Sequence, residues 1–125
     1  MRAEGHSYEV EARSTDTFGR MLGRARHQHV VSDGPVRLGC PGEAISPGEL
    51  FLLGIATCGV ELLEVFAQEE GLPLEAASLA AWGDVDAANQ PRPELTLFTS
   101  VGLDFDLVGV TGEQAEHLVG RFKGR

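Results

Sequence analysis

At 125 residues the chain has room for one domain with a real core, and too few residues for two. Its 42% apolar and 23% charged content is that of a folded globular protein rather than a disordered one. A formal net charge of −9 argues against nucleic acid and anionic membrane surfaces as partners, since both require a basic face.

The start of the chain, Met1-Arg2-Ala3-Glu4-Gly5-His6, lacks the apolar core of a secretory leader. The longest uncharged apolar stretch, Leu50 to Val60, is 11 residues, about half of a membrane span. Two cysteines without an export signal do not read as a disulfide framework. The expected setting is cytoplasmic and reducing.

Residues 6–13 alternate Tyr8, Val10 and Ala12 with Glu9, Glu11 and Arg13, which predicts a half-buried strand. A polar turn follows at Ser14-Thr15-Asp16. Residues 17–22 and 25–31 read as strand material around Gly23, closed by Ser32-Asp33-Gly34-Pro35. Val36-Arg37-Leu38 fits a short strand, and 39–45 a loop. The long helix is expected from Pro47 to about Glu70. Ser46 is its N-cap, Pro47 suits the first helical position, Glu49 completes a capping box and Gly71 stops it. Its first half is apolar all round and needs protein on every side. Its second half sets Leu62, Leu63, Val65 and Phe66 against Glu61, Glu64, Gln68, Glu69 and Glu70.

Residues 74–86 and 94–107 predict two strands joined through 89–93, the second alternating Leu95, Leu97, Val101, Leu103, Phe105 and Leu107. A last helix starts at Thr111 with Gln114 as capping partner. Ala115, Leu118, Val119 and Phe122 form its apolar face. The order ββ(β)–α–ββ–α has no βαβ alternation, so the class is α+β. So apolar a central helix in so small a domain predicts a homodimer that buries it from both sides.

Cys58 lies in the apolar half of that helix. A buried cysteine is usually a small core hydrophobe. A reactive one needs its thiolate form, hence a nearby cation. Position 58 is too deep in the helix for the N-terminal dipole to serve, so the cation must come from elsewhere. Arg20, Arg24 and Arg26 are the candidates, with Arg20 at a strand corner beside Gly19. Each equally fits an ordinary surface arginine. Glu49 lies nine residues before Cys58, half a turn out of phase, and could serve it only through an arginine or across an interface. Glu61, three residues on, would by itself oppose a thiolate.

Cys40, in the Gly-Pro loop, is either incidental or a resolving thiol for Cys58. Pairing would require the loop to fold back along the helix, because disulfides need Cα atoms within about 7 Å. His27 and His29 share a strand face but lack a third metal ligand, and His6 and His117 are isolated. There is no phosphate loop, nucleophile elbow or Cys-x-x-Cys. No metal or cofactor is expected.

The run from Pro47-Gly48-Glu49-Leu50 to Ala56-Thr57-Cys58 resembles the central-helix motif of OsmC-like proteins, the osmotically inducible and organic-hydroperoxide-resistance group. Asp33-Gly34-Pro35, the Gly-rich loop and the closing Thr111-Gly112-Glu113-Gln114-Ala115 helix follow the same order. The resemblance covers most of the chain. It implies an intertwined α+β homodimer, an antiparallel sheet wrapped around a buried central helix, with residues 1–125 as one OsmC-like domain.

It also implies a thiol-dependent peroxidase that reduces small organic hydroperoxides and is recycled by an external thiol reductant. Cys58 would be the peroxidatic cysteine, Arg20 its activating arginine (Arg24 the second choice), and Glu49 the residue orienting that arginine. The chain departs from the family twice. Gly48 stands where the hydroperoxide branch has its glutamate, moving the carboxylate to Glu49. No resolving cysteine follows the last helix before Arg125, so the family's C-terminal segment is expected to be missing or to continue past that point. A non-catalytic binder of hydrophobic ligands is the alternative, and a purely structural or partner-binding domain a third reading.

Overall fold

In a computed structural model that describes residues 5–94 and 96–124, the chain forms two compact units, residues 1–50 and 51–125. Strands β1 (Glu11–Ser14), β2 (Arg20–Ala25) and β3 (Gln28–Asp33) make an antiparallel sheet in the first unit. Helix α1 (Pro47–Glu69) runs from the first unit into the second. Strands β4 (Ala76–Asp84) and β5 (Ser100–Val108) pair antiparallel in the second, and α2 (Gly112–Lys123) closes the chain. The class is α+β, as the element order implies.

Both helix starts follow from local chemistry. At α1 the Ser46 N–H donates to Glu49 Oε1 at 2.9 Å, and the Glu49 N–H donates to Ser46 Oγ at 3.2 Å. At α2 Thr111 and Gln114 exchange the same two bonds. These reciprocal boxes satisfy donors that a helix start leaves open. Gly71, at φ 67, ends α1. The Leu72 N–H reaches Ala67 O, and the Gly71 N–H reaches Gln68 O. That pair of bonds is a Schellman stop, which needs a left-handed residue.

The apolar core lies in the second unit. Leu63, Phe66 and Ala67 of α1 pack with Leu118 of α2, flanked by Ala77, Phe105, Leu107 and Phe122. Strands β4 and β5 each turn alternate residues inward, the period-2 pattern of a half-covered sheet. At Gly59 an added Cβ would run into Leu79, so a bare backbone lets α1 settle onto the sheet. Leu63 is fully buried. Leu63→Ala is therefore expected to lower stability by about 3 kcal/mol, seen as a reduced urea midpoint at unchanged slope.

Several sequence expectations need correction. Tyr8 and Val10 are 87% and 76% exposed, and all of β1 is exposed, so residues 6–13 are not a half-buried strand. Gly23 sits inside β2, and the β2–β3 turn falls at 26–27, where Arg26 takes φ 57. His27 is thus in a turn, and His29 alone is on β3. Val36–Leu38 is a 3₁₀ turn rather than a strand. The β4–β5 connection is longer than expected: β5 starts at Ser100, and the Gln90 side chain holds Leu97 in the loop by two bonds. Leu95 lies outside the described residues.

Helix α1 is less covered than its composition demands. Its buried positions are Gly59, Leu63, Phe66 and Ala67, and Phe51, Leu53 and Val65 are exposed. One 18-residue window has a mean hydropathy of 2.0 with 22% of it buried. By length and composition alone, the helix is long and apolar enough to cross a membrane.

Candidate functional site

In the first unit the buried described residues are polar or small: Ser32, Asp33 and Gly34. Asp33 is the last residue of β3, and the hairpin register sets it opposite Arg20, the first of β2. Arg20 Nε donates to Asp33 Oδ1 at 2.7 Å, and Nη2 donates to Oδ2 at 2.8 Å. Two parallel N–H bonds to one carboxylate are the strongest geometry an arginine can adopt. Nη2 also donates to Glu43 Oε1 at 2.9 Å. The backbone N–H groups of Glu43 and Ala44 both point at Asp33 Oδ2, at 3.0 and 2.9 Å.

A buried carboxylate is thereby fully paired. The Arg20 hydrogen bonds hold the Asp33 carboxyl well below the usual carboxylate range, helped by the two backbone donors and opposed by burial. The same bonds raise Arg20 further above its ordinary value. The sign for stability follows. A carboxylate whose acidity is strengthened by folding stabilises the fold above its unfolded value, near pH 4, and that contribution is lost as pH falls below it. Urea midpoints of the parent should therefore drop from about pH 4 downward. Asp33→Asn, weaker at neutral pH, should change less over that window.

Gly19 permits this corner. It has φ 81, and an added Cβ would stand 2.5 Å from Cys40 Cβ and 2.9 Å from its Cα. Cys40, a free and partly buried thiol, thus packs against the turn that leads into Arg20. Arg24 is committed to the surface: Nε and Nη2 both donate to Glu11 Oε1, and Nη1 donates to Arg26 O. Glu49 uses Oε1 to close the α1 capping box, and its carboxyl is lowered chiefly by the Ser46 N–H. The structure therefore joins Arg20 to Asp33 and Glu43 and shows no ion pair between Arg20 and Glu49 among the described residues.

Cys58 belongs to the second unit. It is free and exposed, not a buried core residue. Phe51 lies two helical turns before it on the same face and stacks on Phe98, centroids 5.5 Å apart. Glu61, one turn on, is exposed. His117 contacts Glu70 at 2.8 Å, and Arg121 bridges Glu69 and Glu70, tying α2 to the end of α1. His6 lies edge-on to Tyr8. Among the described residues no group of three metal-ligating side chains occurs.

Sequence reasoning missed Asp33 as a partner of Arg20. The signal was there: residues equally distant from a turn at 26–27 face each other across the hairpin.

No family model matches the chain, and no curated protein does. Solved structures do. An OsmC-like protein from Mycoplasma pneumoniae aligns with a TM-score of 0.81 at 12% identity, covering 98% of this chain and 84% of that one. An organic hydroperoxide resistance protein OsmC from Legionella pneumophila aligns at 0.69 and 24% identity, covering 94% and 82%. An organic hydroperoxide resistance protein from Elizabethkingia anophelis aligns at 0.72 and 18% identity, with the same coverage. The chain has the OsmC-like fold.

Proposed function

We propose that this chain is a thiol-dependent peroxidase for organic hydroperoxides, acting as a single cytoplasmic OsmC-like domain in a homodimer. The observation that carries the reading is the free, exposed Cys58 on an otherwise apolar stretch of α1, in a fold whose named members include organic hydroperoxide resistance proteins. The thiolate attacks one peroxide oxygen, and the O–O bond breaks. The sulfur becomes a sulfenic acid, and the other oxygen leaves as the alcohol after taking a proton. An external thiol then reduces the sulfenic acid and is itself oxidised. Arg20 is the candidate for steadying the thiolate. Glu49 remains a candidate for acting through Arg20, beside the capping role it already fills.

Exposed apolar surface in both units supports the homodimer reading. The three-stranded sheet carries Val30 and Val31 exposed at 39% and 46%, the turn before β2 carries Phe18 exposed at 75%, and no apolar side chain is buried among the sheet's described residues. A small sheet without a covered face is not stable alone. The apolar first half of α1 has the same need. A second copy of the chain would cover both.

The test is intact mass after a brief dose of cumene hydroperoxide. One added oxygen on Cys58 supports the reading. An unmodified Cys58, together with peroxide loss no faster than a thiol-free blank, overturns it. The Phe51–Phe98 stack favours a second reading, a non-catalytic binder of hydrophobic ligands. That reading expects saturable ligand binding with no oxygen added.

A further inference from the structure

We propose that the outward face of the β4–β5 sheet is a docking surface for a basic, extended segment of a partner protein. An arginine of that segment stacks on Trp82, and further cations meet Asp104 and Asp106. The proposal uses none of the peroxidase chemistry and lies wholly within the second unit. Register and burial define the face. Along both strands the inward residues pack on the helices and the alternate ones point out. On the outward side Trp82 stands opposite Gly102, Ala80 opposite Asp104, and Ser78 opposite Asp106.

Three residues of this face are poor choices for a strand. Glycine and aspartate are depleted in strands, yet β5 carries Gly102, Asp104 and Asp106 at alternate positions. Gly102 has a local reason. An added Cβ there would overlap Cε2 and Cζ2 of the Trp82 ring, so the indole lies over bare backbone. Trp82 still keeps 49% of its surface exposed. The two aspartates have no such reason within the chain. Alanine and serine stand opposite them, and neither carboxylate has an ion-pair partner among the described residues. The cations described in the second unit lie elsewhere: Arg92 in the β4–β5 loop, Arg121 and Lys123 on α2.

The chemistry of the face selects its occupant. An exposed indole attracts a cation over its ring, and a planar guanidinium can stack there as well. Asp104 is the diagonal cross-strand neighbour of Trp82, about 7–8 Å away. Asp84 follows Trp82 two residues on, and its Oδ2 accepts only a 3.3 Å bond from Ser100 Oγ. A cation on the ring therefore has a carboxylate to either side. Asp104 and Asp106 lie about 7 Å apart along the strand, the spacing of alternate side chains in an extended peptide. The short side chains of Ser78 and Ala80 beside them leave room for its backbone. Anionic partners are repelled by the same charges. A second copy of this chain is poorly equipped for the role, since its Arg20, Arg24, Arg92 and Arg121 are already paired.

Trp82 is the chain's one tryptophan, so its fluorescence reports on this face directly. The experiment titrates the full chain at low salt with a short peptide alternating arginine and serine. The expected result is a saturable change in emission, absent when glutamine replaces arginine in the peptide. The midpoint should rise about tenfold in the double variant Asp104→Asn, Asp106→Asn. It should stay at the parent value in Glu113→Gln, Glu116→Gln, which removes the same charge from α2. No saturable change in the parent overturns the proposal, and so does an equal response to the glutamine peptide. Those two results need no variant, so the test stands even if the aspartate variant does not fold. An equal loss in both double variants overturns it too, because the attraction would then be to overall negative charge. Spermidine binding at the peptide's midpoint would make the occupant a free polyamine and not a protein segment. A change in particle mass in the aspartate variant would reassign the face to a contact between copies. Either result also overturns the proposal.

Discussion

Cys58→Ser is expected to abolish hydroperoxide consumption, bringing the rate down to that of a thiol-free blank. Peroxide reduction takes two electrons from the attacking atom, and only sulfur among these side chains can supply them and be restored by a thiol. A serine oxygen at the same place has no equivalent oxidation state to enter. The substitution removes one polarisable atom from an exposed position, so the fold should be little disturbed. Cys40→Ser is the matching control. Cys40 is partly buried against Gly19 and Gly34 and plays no part in the proposed attack. It should retain turnover as long as the external thiol is present. Activity surviving in Cys58→Ser but not in Cys40→Ser would move the nucleophile into the first unit and sink the present assignment.

What could be read from the sequence divides by the range of the interaction. The helix boundaries were legible because their causes are local: Ser46 and Glu49, Thr111 and Gln114, and Gly71 each act within a few residues. The apolar face of α2 was legible for the same reason, with Leu118 buried at its centre. The first sheet was less so. Gly23 looked like a break, yet it sits in mid-strand. The real turn is carried by Arg26 in a left-handed conformation that side-chain-bearing residues seldom adopt. That shift concealed the Arg20–Asp33 pairing, which depends on hairpin register rather than on any local motif.

Tyr8 and Val10 show the opposite error. Their alternation reads as one covered face, but among the described residues of a single chain both side chains stay mostly exposed. Alternation reports that a face is apolar, not what lies against it. The same gap applies to α1, whose composition demands cover that the chain alone does not provide.

That demand gives the second large effect. The parent protein should behave in light scattering as a particle of twice 13.4 kDa, and Leu53→Glu should behave as one of 13.4 kDa. Leu53 is 47% exposed in the chain, on the apolar first half of α1 and away from the core residues Leu63 and Phe66. A glutamate there costs little in an isolated protomer, where its charge stays in water. Inside a closed interface it would be a buried charge without a partner, at roughly 3–5 kcal/mol per copy. That corresponds to a dissociation constant about 10²–10⁴-fold weaker for each copy. Dimerisation and catalysis can be separated in the same variant. If the partner only covers apolar surface, the monomer should still take one oxygen on Cys58, though it will be prone to aggregate. If the partner completes the site, oxygen transfer should fall with the dimer. A parent protein that is monodisperse at 13.4 kDa would remove the partner altogether. The exposed apolar half of α1 would then have to be explained by a hydrophobic ligand or a membrane surface.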